Sequence, residues 1–246
     1  MTMIIGVIAN TKIVLASDTR CMIGNPGNYL AYHDQARKIV ILNQPQIACA
    51  VACDIKKTFG GTSIIDISKR SLSDINYRQS VSLSEIHVKF QEKIYEDLLY
   101  AGEKYYYKSI LAKFDNDNPC LSYGNLSNGT IFKSKGIFSY PPLQNELYEN
   151  EKPTDEQAVQ FVKDKIKEKS KRHVEIGSDI EIIYLTSTTI DWIQKQNWLP
   201  LPTKPQKLYD EWKKDHSILK QLNKEQKFEE WEQELEKWFK QRCENK

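Results

Sequence analysis

The chain has 246 residues, of which 40% are hydrophobic and 28% are charged, and its formal net charge is +2 at pH 7. This composition is ordinary for a folded protein with its own core, and the small net charge excludes the strongly basic surface typical of proteins that bind nucleic acid or anionic lipid. No apolar run approaches the roughly 20 residues that span a bilayer, and no signal peptide is evident. We therefore expect a cytoplasmic protein without membrane contact.

The cysteines and histidines give no indication of a metal site or a disulfide framework. The five cysteines are odd in number and form no CxxC pair, and the four histidines are scattered without metal-ligand spacing. Reduced thiols are favoured over disulfides, and we expect no metal and no other cofactor.

The first part of the chain predicts two β-hairpins. Their four strands are short, rich in β-branched residues and joined by turn residues: 3–8 with 13–17, and 39–42 with 47–52. The runs are apolar almost throughout, which is typical of strands that are covered on both faces.

Helices and further strands follow. Ser82 and Glu85 have the spacing of a capping box at the start of a helix, and Thr154 and Gln157 have the same spacing later in the chain. An earlier helix is expected within 60–72, and four more strands are expected at 110–114, 120–123, 130–133 and 180–185. This order predicts an α+β fold in which two helical layers cover a sandwich of sheets.

The composition changes near residue 200. A proline-rich segment at 199–205 predicts a stiff linker, and two helical stretches of mixed charge follow it. The last stretch carries an amphipathic aromatic stripe, which consists of Phe228, Trp231, Leu235, Trp238 and Phe239. We therefore expect a main domain at 1–200 and a helical C-terminal extension at 201–246. The stripe is expected to pack on its own domain or on a neighbouring subunit.

The residue after the initiator methionine carries a possible catalytic chemistry. Thr2 is small, so we expect an aminopeptidase to remove Met1 and leave a threonine with a free α-amine. Such an amine titrates near 7.7–8.0 and can accept the proton of the hydroxyl group on the same residue. A cation that keeps the pKa of the amine low, and a carboxylate that holds this cation, would complete the site.

The first hairpin offers the carboxylate. If its turn is centred near residues 10–11, the residue opposite position 2 is 18 or 19, so Asp18 lies beside Thr2 by connectivity alone. A slip of one residue reverses the face of the side chain, and both registers remain open. Lys38, directly before the strand at 39–42, is the natural cation. Taken singly, these residues also fit a solvated turn or an edge charge, so the hypothesis depends on their occurring together.

The same residues resemble a known family. Thr2, Gly6, Asp18 and Arg20, followed by Lys38 at the start of a strand, are similar to the pattern of proteasome β-subunits and of the peptidase ring of the related bacterial heat-shock protease. These are N-terminal nucleophile (Ntn) hydrolases of the threonine type. The resemblance implies a four-layer αββα sandwich.

The resemblance also implies roles for individual residues. Thr2 would be the nucleophile, its α-amine the general base, and Lys38 the cation that Asp18 holds. Arg20 would brace Asp18. Ala50 takes the place of the glycine whose backbone N–H forms the oxyanion hole. Possible supporting residues are Gly136 and Ser139, which match what remains of the glycine–serine loop of the family.

The family implies a function and a kind of assembly. The expected activity is a threonine-type peptidase that acts on peptides or unfolded proteins within a ring-like homo-oligomer, with an ATP-driven unfoldase as a possible partner. Two alternatives stay open: a non-catalytic subunit for assembly or binding, and a small-molecule amidase on the same fold.

Overall fold

The computed structural model describes residues 2–25, 28–34, 36–53, 64–77, 82–99, 106–115, 117–134, 136–143, 152–196 and 220–221, together with Gln233 and Lys237. In chain order the elements are β1 (Ile4–Ile8), β2 (Ile13–Asp18), β3 (Cys21–Asn25), β4 (Asn28–His33), β5 (Ile39–Asn43), β6 (Gln46–Cys53), α1 (Ile64–Ser73), α2 (Leu83–Leu99), β7 (Tyr107–Asp115), β8 (Asn118–Asn125), β9 (Thr130–Ser134), β10 (Ile137–Tyr140), α3 (Asp155–Arg172), β11 (Ile180–Leu185), β12 (Ile190–Gln194) and β13 (Lys220–Gln221).

The strands form two antiparallel five-stranded sheets and a small third one. The first sheet has the order β10-β1-β2-β11-β12, and the second has the order β5-β6-β7-β8-β9. The third sheet consists of β13, β4 and β3. Both large sheets are built from antiparallel pairs, in which successive side chains alternate between the two faces.

Three apolar cores separate four layers. One core fills the space between the two large sheets and includes Ile4 and Leu15 from the first sheet and Ile110 from the second. Another lies between the first sheet and α3, and the remaining one lies between the second sheet and the helices α1 and α2. The expected α+β fold and its four-layer αββα sandwich are thus confirmed. The expectation of strands covered on both faces is confirmed for β1 and β2, which are buried along their whole length.

The predicted helix starts are also confirmed. In α3, Thr154 accepts a hydrogen bond from the Gln157 backbone N–H while the Gln157 side chain accepts one from the Thr154 backbone. Ser82 and Glu85 form the same reciprocal pair before α2. No helix in the described part of the chain is long and apolar enough to cross a membrane.

The sequence does not predict five of the thirteen described strands, namely β3, β4, β10, β12 and the short β13. β12 shows the reason, because it reads Ile-Asp-Trp-Ile-Gln, lies at the edge of the first sheet and has no fully buried residue. A strand that is only half covered lacks the continuous apolar run on which the prediction depends.

The C-terminal segment differs from the expectation at one point. Lys220 and Gln221 form β13, which pairs with β4, so a short strand interrupts the region expected to be helical. Gln233 and Lys237 are helical and exposed, as the polar face of an amphipathic helix would be. The aromatic stripe lies outside the described residues, and the division at residue 200 stays a prediction.

A buried histidine joins α2 to the second sheet. Each ring nitrogen of His87 lies 2.8 Å from a serine Oγ, Nδ1 from Ser122 on β8 and Nε2 from Ser109 on β7. The approach is close because Gly124 has no side chain, and a Cβ built there would lie 2.5 Å from Nε2. Complete burial lowers the pKa of His87 to about 3.

This histidine makes the stability depend on pH. The unfolded chain protonates His87 near pH 6.5 and the folded chain only near pH 3. The neutral buried ring therefore makes its full contribution to the free energy of unfolding above pH 6.5, and this contribution is lost as the pH falls from 6.5 toward 3. We expect it to cause a loss of about 2 kcal/mol in the free energy of unfolding between pH 7 and pH 5. Urea unfolding of the wild type and of His87→Gln at both pH values tests this. An equally steep dependence in the variant would contradict it.

Candidate active site

The first hairpin brings Thr2 beside the end of β2. Ile4 lies opposite Ser17, and two further residues in the same register place Thr2 opposite Thr19. The Asp18 backbone N–H donates to the Met3 carbonyl oxygen over 3.1 Å. Met3 packs in the core against α3, so the alternation of the strand turns Thr2 toward the space between the two large sheets. Thr2 is 7% exposed.

Asp18 is the centre of the polar network. Its Oδ1 accepts the Met3 backbone N–H at 2.7 Å. Its Oδ2 accepts the backbone N–H groups of Arg20 at 3.0 Å and Gly177 at 3.1 Å, and the Lys38 ammonium at 3.0 Å. The carboxylate is completely buried. Three backbone donors and one cation compensate for the loss of its hydration.

Lys38 reaches this carboxylate from the other sheet. It directly precedes β5, and its Nζ also donates to the Arg20 carbonyl oxygen over 2.7 Å. Its side chain is 1% exposed. A buried ion pair of this kind is tolerated only when hydrogen bonds satisfy both charges, and the partners of Asp18 and Lys38 meet that condition.

Arg20 contacts Asp18 through its backbone and not through its guanidinium group. The guanidinium forms a two-pronged pair with Asp34, at 2.6 and 3.0 Å, and donates to the Val174 carbonyl oxygen over 2.8 Å. It also lies over the ring of Tyr32, 3.8 Å from the centroid. Burial by itself lowers the pKa of Arg20, but hydrogen bonding and charge from Asp34 outweigh it and raise that pKa. The bracing expected of the Arg20 side chain therefore falls to its backbone.

Gly177 completes the shell of donors and was not among the predicted residues. It precedes β11, and a Cβ built on it would lie 2.9 Å from the Cβ of Arg20. Only a residue without a side chain lets its N–H come this close to Asp18. The sequence offers only a weak indication, a glycine shortly before a predicted strand.

Glu181 is a second buried carboxylate, and its place in the site is not predicted by the sequence. It is completely buried, and its Oε1 accepts the Lys38 backbone N–H at 2.6 Å and the Ser17 hydroxyl at 2.9 Å. It thus ties the start of β5 to the first sheet. Its signal in the sequence is a charged residue inside the apolar run Ile-Glu-Ile-Ile-Tyr-Leu.

Removing this carboxylate should destabilise the fold. Glu181→Ala leaves the two buried donors without that acceptor, and we expect a loss of about 2–4 kcal/mol in the free energy of unfolding. Glu181→Gln keeps an acceptor oxygen and should lose less. Asp191→Ala on the neighbouring β12, where the side chain is exposed, should change stability by less than about 0.5 kcal/mol. Equal losses for the Ala and Gln variants in urea unfolding would contradict the role of the acceptor.

The geometry of β6 does not favour Ala50 as the oxyanion donor. The Val51 N–H donates to the Lys38 carbonyl oxygen over 2.9 Å, toward β5. Because successive N–H groups along a strand point to opposite sides, the Ala50 N–H points toward Ile110 on β7. At the end of β6 that lies beside Lys38, the N–H groups that point toward β5 belong to Val51 and, two residues later, Cys53.

The two expected supporting residues lie apart from Thr2. The Gly136 carbonyl oxygen accepts the Ile8 N–H, at the opposite end of β1 and about 20 Å from Thr2 along the strand. Ser139 lies opposite Ile5, and its hydroxyl accepts the Leu143 N–H. Gly136 therefore does not lie beside Thr2, because the antiparallel pairing of β1 with β10 brings residues 140–143 to that end of β1 instead.

Within the described ranges, no group of three histidine, cysteine or carboxylate side chains is arranged to hold a metal ion.

Comparison with known proteins identifies the fold. The family described as proteasome subunit matches residues 2–185. No curated protein matches the sequence. Among solved structures, the chain is similar to Anbu (ancestral beta-subunit) from Yersinia bercovieri, at 11% identity over 79% of this chain and 88% of that one, with a TM-score of 0.57. It is also similar to an Anbu (Gly-1) mutant from Hyphomicrobium sp. strain MC1, at 12% identity over 91% of this chain and 100% of that one, with a TM-score of 0.60.

Proposed function

Because the chain belongs to the proteasome subunit family, we propose that it is a threonine-type peptidase that hydrolyses peptide bonds after removal of Met1. One observation carries the proposal. A single buried carboxylate, Asp18, binds both the Met3 N–H, which directly follows Thr2, and the ammonium group of Lys38. A nucleophile on the first sheet and a cation from the second are thereby held by the same group.

The proposed reaction begins with the Thr2 hydroxyl. Removal of Met1 by hydrolysis frees the α-amine of Thr2. Oγ then attacks the carbonyl carbon of the substrate, and its proton passes to the α-amine, directly or through a water molecule. The scissile C–N bond breaks as the ammonium returns this proton to the leaving amine. Water then hydrolyses the ester that remains on Thr2.

The surrounding residues have positioning and electrostatic roles in this proposal. The charge of Lys38 favours the neutral α-amine and stabilises negative charge as it develops on Oγ. Asp18 orients Lys38, and the backbone of Arg20 positions both. Glu181 holds the backbone of Lys38. Because the Val51 N–H already donates to the Lys38 carbonyl oxygen, the oxyanion donor is to be sought at the Cys53 end of β6, and it would contribute about 3–4 kcal/mol of transition-state stabilisation.

Labelling with an electrophilic β-lactone, followed by mass mapping, tests the proposal. We expect one label on the N-terminal residue of the mature chain, which should be Thr2. A matched preparation carrying one extra residue before Thr2 should not be labelled, because the α-amine is then an amide. A mature chain that retains Met1, or a label on a cysteine, would contradict the threonine mechanism.

A second candidate is a non-catalytic subunit for assembly or binding. The segment that the register brings to Thr2 reads Tyr-Pro-Pro-Leu at 140–143. Pro141 and Pro142 have no N–H and cannot donate to the nucleophile or the substrate. Failure of the labelling experiment on a chain with a free Thr2 would favour this candidate. Hydrolysis of small amides without hydrolysis of peptides would favour an amidase.

The proposal extends to the assembly. We propose a cytoplasmic, ring-like homo-oligomer that takes peptides or unfolded proteins as substrates, with an ATP-driven unfoldase as partner. Family membership supports the ring, and sedimentation of the full chain as a monomer at micromolar concentration would contradict it.

A further inference from the structure

A lysine and two tyrosines form a cluster at the end of the space between the two large sheets. Lys108 Nζ lies 3.7 Å from the ring centroid of Tyr140 and 4.4 Å from that of Tyr106, and it donates to the Tyr106 hydroxyl over 2.6 Å. The two rings are 5.6 Å apart, and their hydroxyl groups are also in contact. The contacts are exposed to solvent, so a ligand can reach them.

Strand register places this cluster beside Thr2. Tyr140 lies opposite Ile4 on β1, and Thr2 precedes Ile4 by two residues on the same face, about 7 Å along the strand. Lys108 lies opposite Ala52 on β6 and shares the inward face of β7 with Ile110. Lys108 therefore extends from the second sheet toward the end of the first sheet that carries the nucleophile.

The cluster has the chemistry of an anion site. An ammonium and phenolic hydroxyls donate hydrogen bonds to a carboxylate, and such charge-assisted bonds are the stronger kind. No carboxylate in the described ranges forms an ion pair with Lys108, in contrast to Lys113 on the same strand, which pairs with Asp115. Partial burial lowers the pKa of Lys108 because it disfavours the charged form. An anionic ligand would offset that penalty.

We propose that Lys108, Tyr106 and Tyr140 form a subsite that binds a carboxylate of the substrate, so that peptides with an acidic side chain or a free C-terminal carboxylate near the cleaved bond are preferred. This inference rests on the proposed peptidase function. The aromatic rings hold the ammonium in place, and its remaining N–H groups bind the carboxylate. The cluster is a specificity determinant and takes no part in bond breaking.

Matched peptides distinguish the two sources of the carboxylate. One pair has blocked ends and differs only in Glu or Gln next to the cleaved bond, and the other has a free or an amidated C-terminus. We expect a preference of about tenfold or more in kcat/KM for the charged member of at least one pair. Lys108→Met should bring that ratio close to one, and Lys108→Glu should invert it. Lys113→Met, about 17 Å away on β7, should leave every rate unchanged.

Binding measured without hydrolysis separates this inference from the proposed function. Fluorescence anisotropy with C-terminally amidated peptides ending in Glu or Gln gives the affinity ratio for the acidic side chain, and the unamidated Gln peptide gives that for the C-terminal carboxylate. Selective binding of the Glu peptide that depends on Lys108, without any hydrolysis, would support the subsite and contradict the peptidase. If the protein hydrolyses peptides but prefers neither Glu over Gln nor a free over an amidated C-terminus, the subsite is overturned while the peptidase function stands. A uniform loss of rate in Lys108→Met, with the ratios unchanged, would assign Lys108 a structural role and also overturn the subsite.

Discussion

Replacement of Thr2 by alanine should abolish peptide hydrolysis, with a decrease of at least about 10³-fold in kcat. The variant keeps the α-amine, Asp18 and Lys38 but has no oxygen that can attack the substrate. Steady-state kinetics on a blocked peptide measures the effect. Because Thr2 is small and contributes little to the core, urea unfolding should show nearly unchanged stability.

Two further variants sharpen this prediction. Thr2→Ser keeps both the hydroxyl and the amine and should retain measurable activity. Thr188→Ala, at an exposed threonine in the β11–β12 turn, should have the activity of the wild type. Hydrolysis by Thr2→Ala at the rate of the wild type would contradict the nucleophile assignment.

Replacement of Lys38 by methionine should affect both stability and activity. It leaves the Asp18 carboxylate buried without its cation, which typically costs about 3–5 kcal/mol in the free energy of unfolding. It also removes the charge that activates the nucleophile, so hydrolysis should fall to the level of Thr2→Ala. Urea unfolding and peptide kinetics on the same preparation give the two values.

A double-mutant cycle separates the two effects. Asp18→Asn combined with Lys38→Met removes both charges, and we expect it to be about 1–3 kcal/mol more stable than the sum of the single losses predicts. Activity should remain absent. Lys12→Met breaks the partly exposed pair of Lys12 with Asp155, and it should cost less than about 1 kcal/mol and leave hydrolysis intact. Additive losses at Asp18 and Lys38 would argue against a coupled buried pair.

The sequence by itself determined the part of the site that is built from segments close together in the chain, namely Thr2, Asp18 and Lys38. The β1–β2 hairpin is short, its strands are apolar, and its turn residues allow few registers, so the approach of Asp18 to Thr2 follows from connectivity. Lys38 begins the next apolar strand, and the small-residue run of β6 follows it. The helix starts at Ser82 and Thr154 were also predictable, because a capping box lies within four consecutive residues.

The tertiary structure alone decided which distant groups complete the network. The Gly177 N–H is 159 positions from Asp18, and Glu181 is 143 positions from Lys38, so neither contact leaves a local pattern. The direction of the Ala50 N–H depends on register, and a shift of one residue reverses it. Likewise, pairing of β10 with β1 sends Gly136 to the far end of the strand and brings Tyr140 toward Thr2. Such pairings between distant strands are fixed by the packing of whole sheets, because only the complete set of layers buries both apolar faces at once.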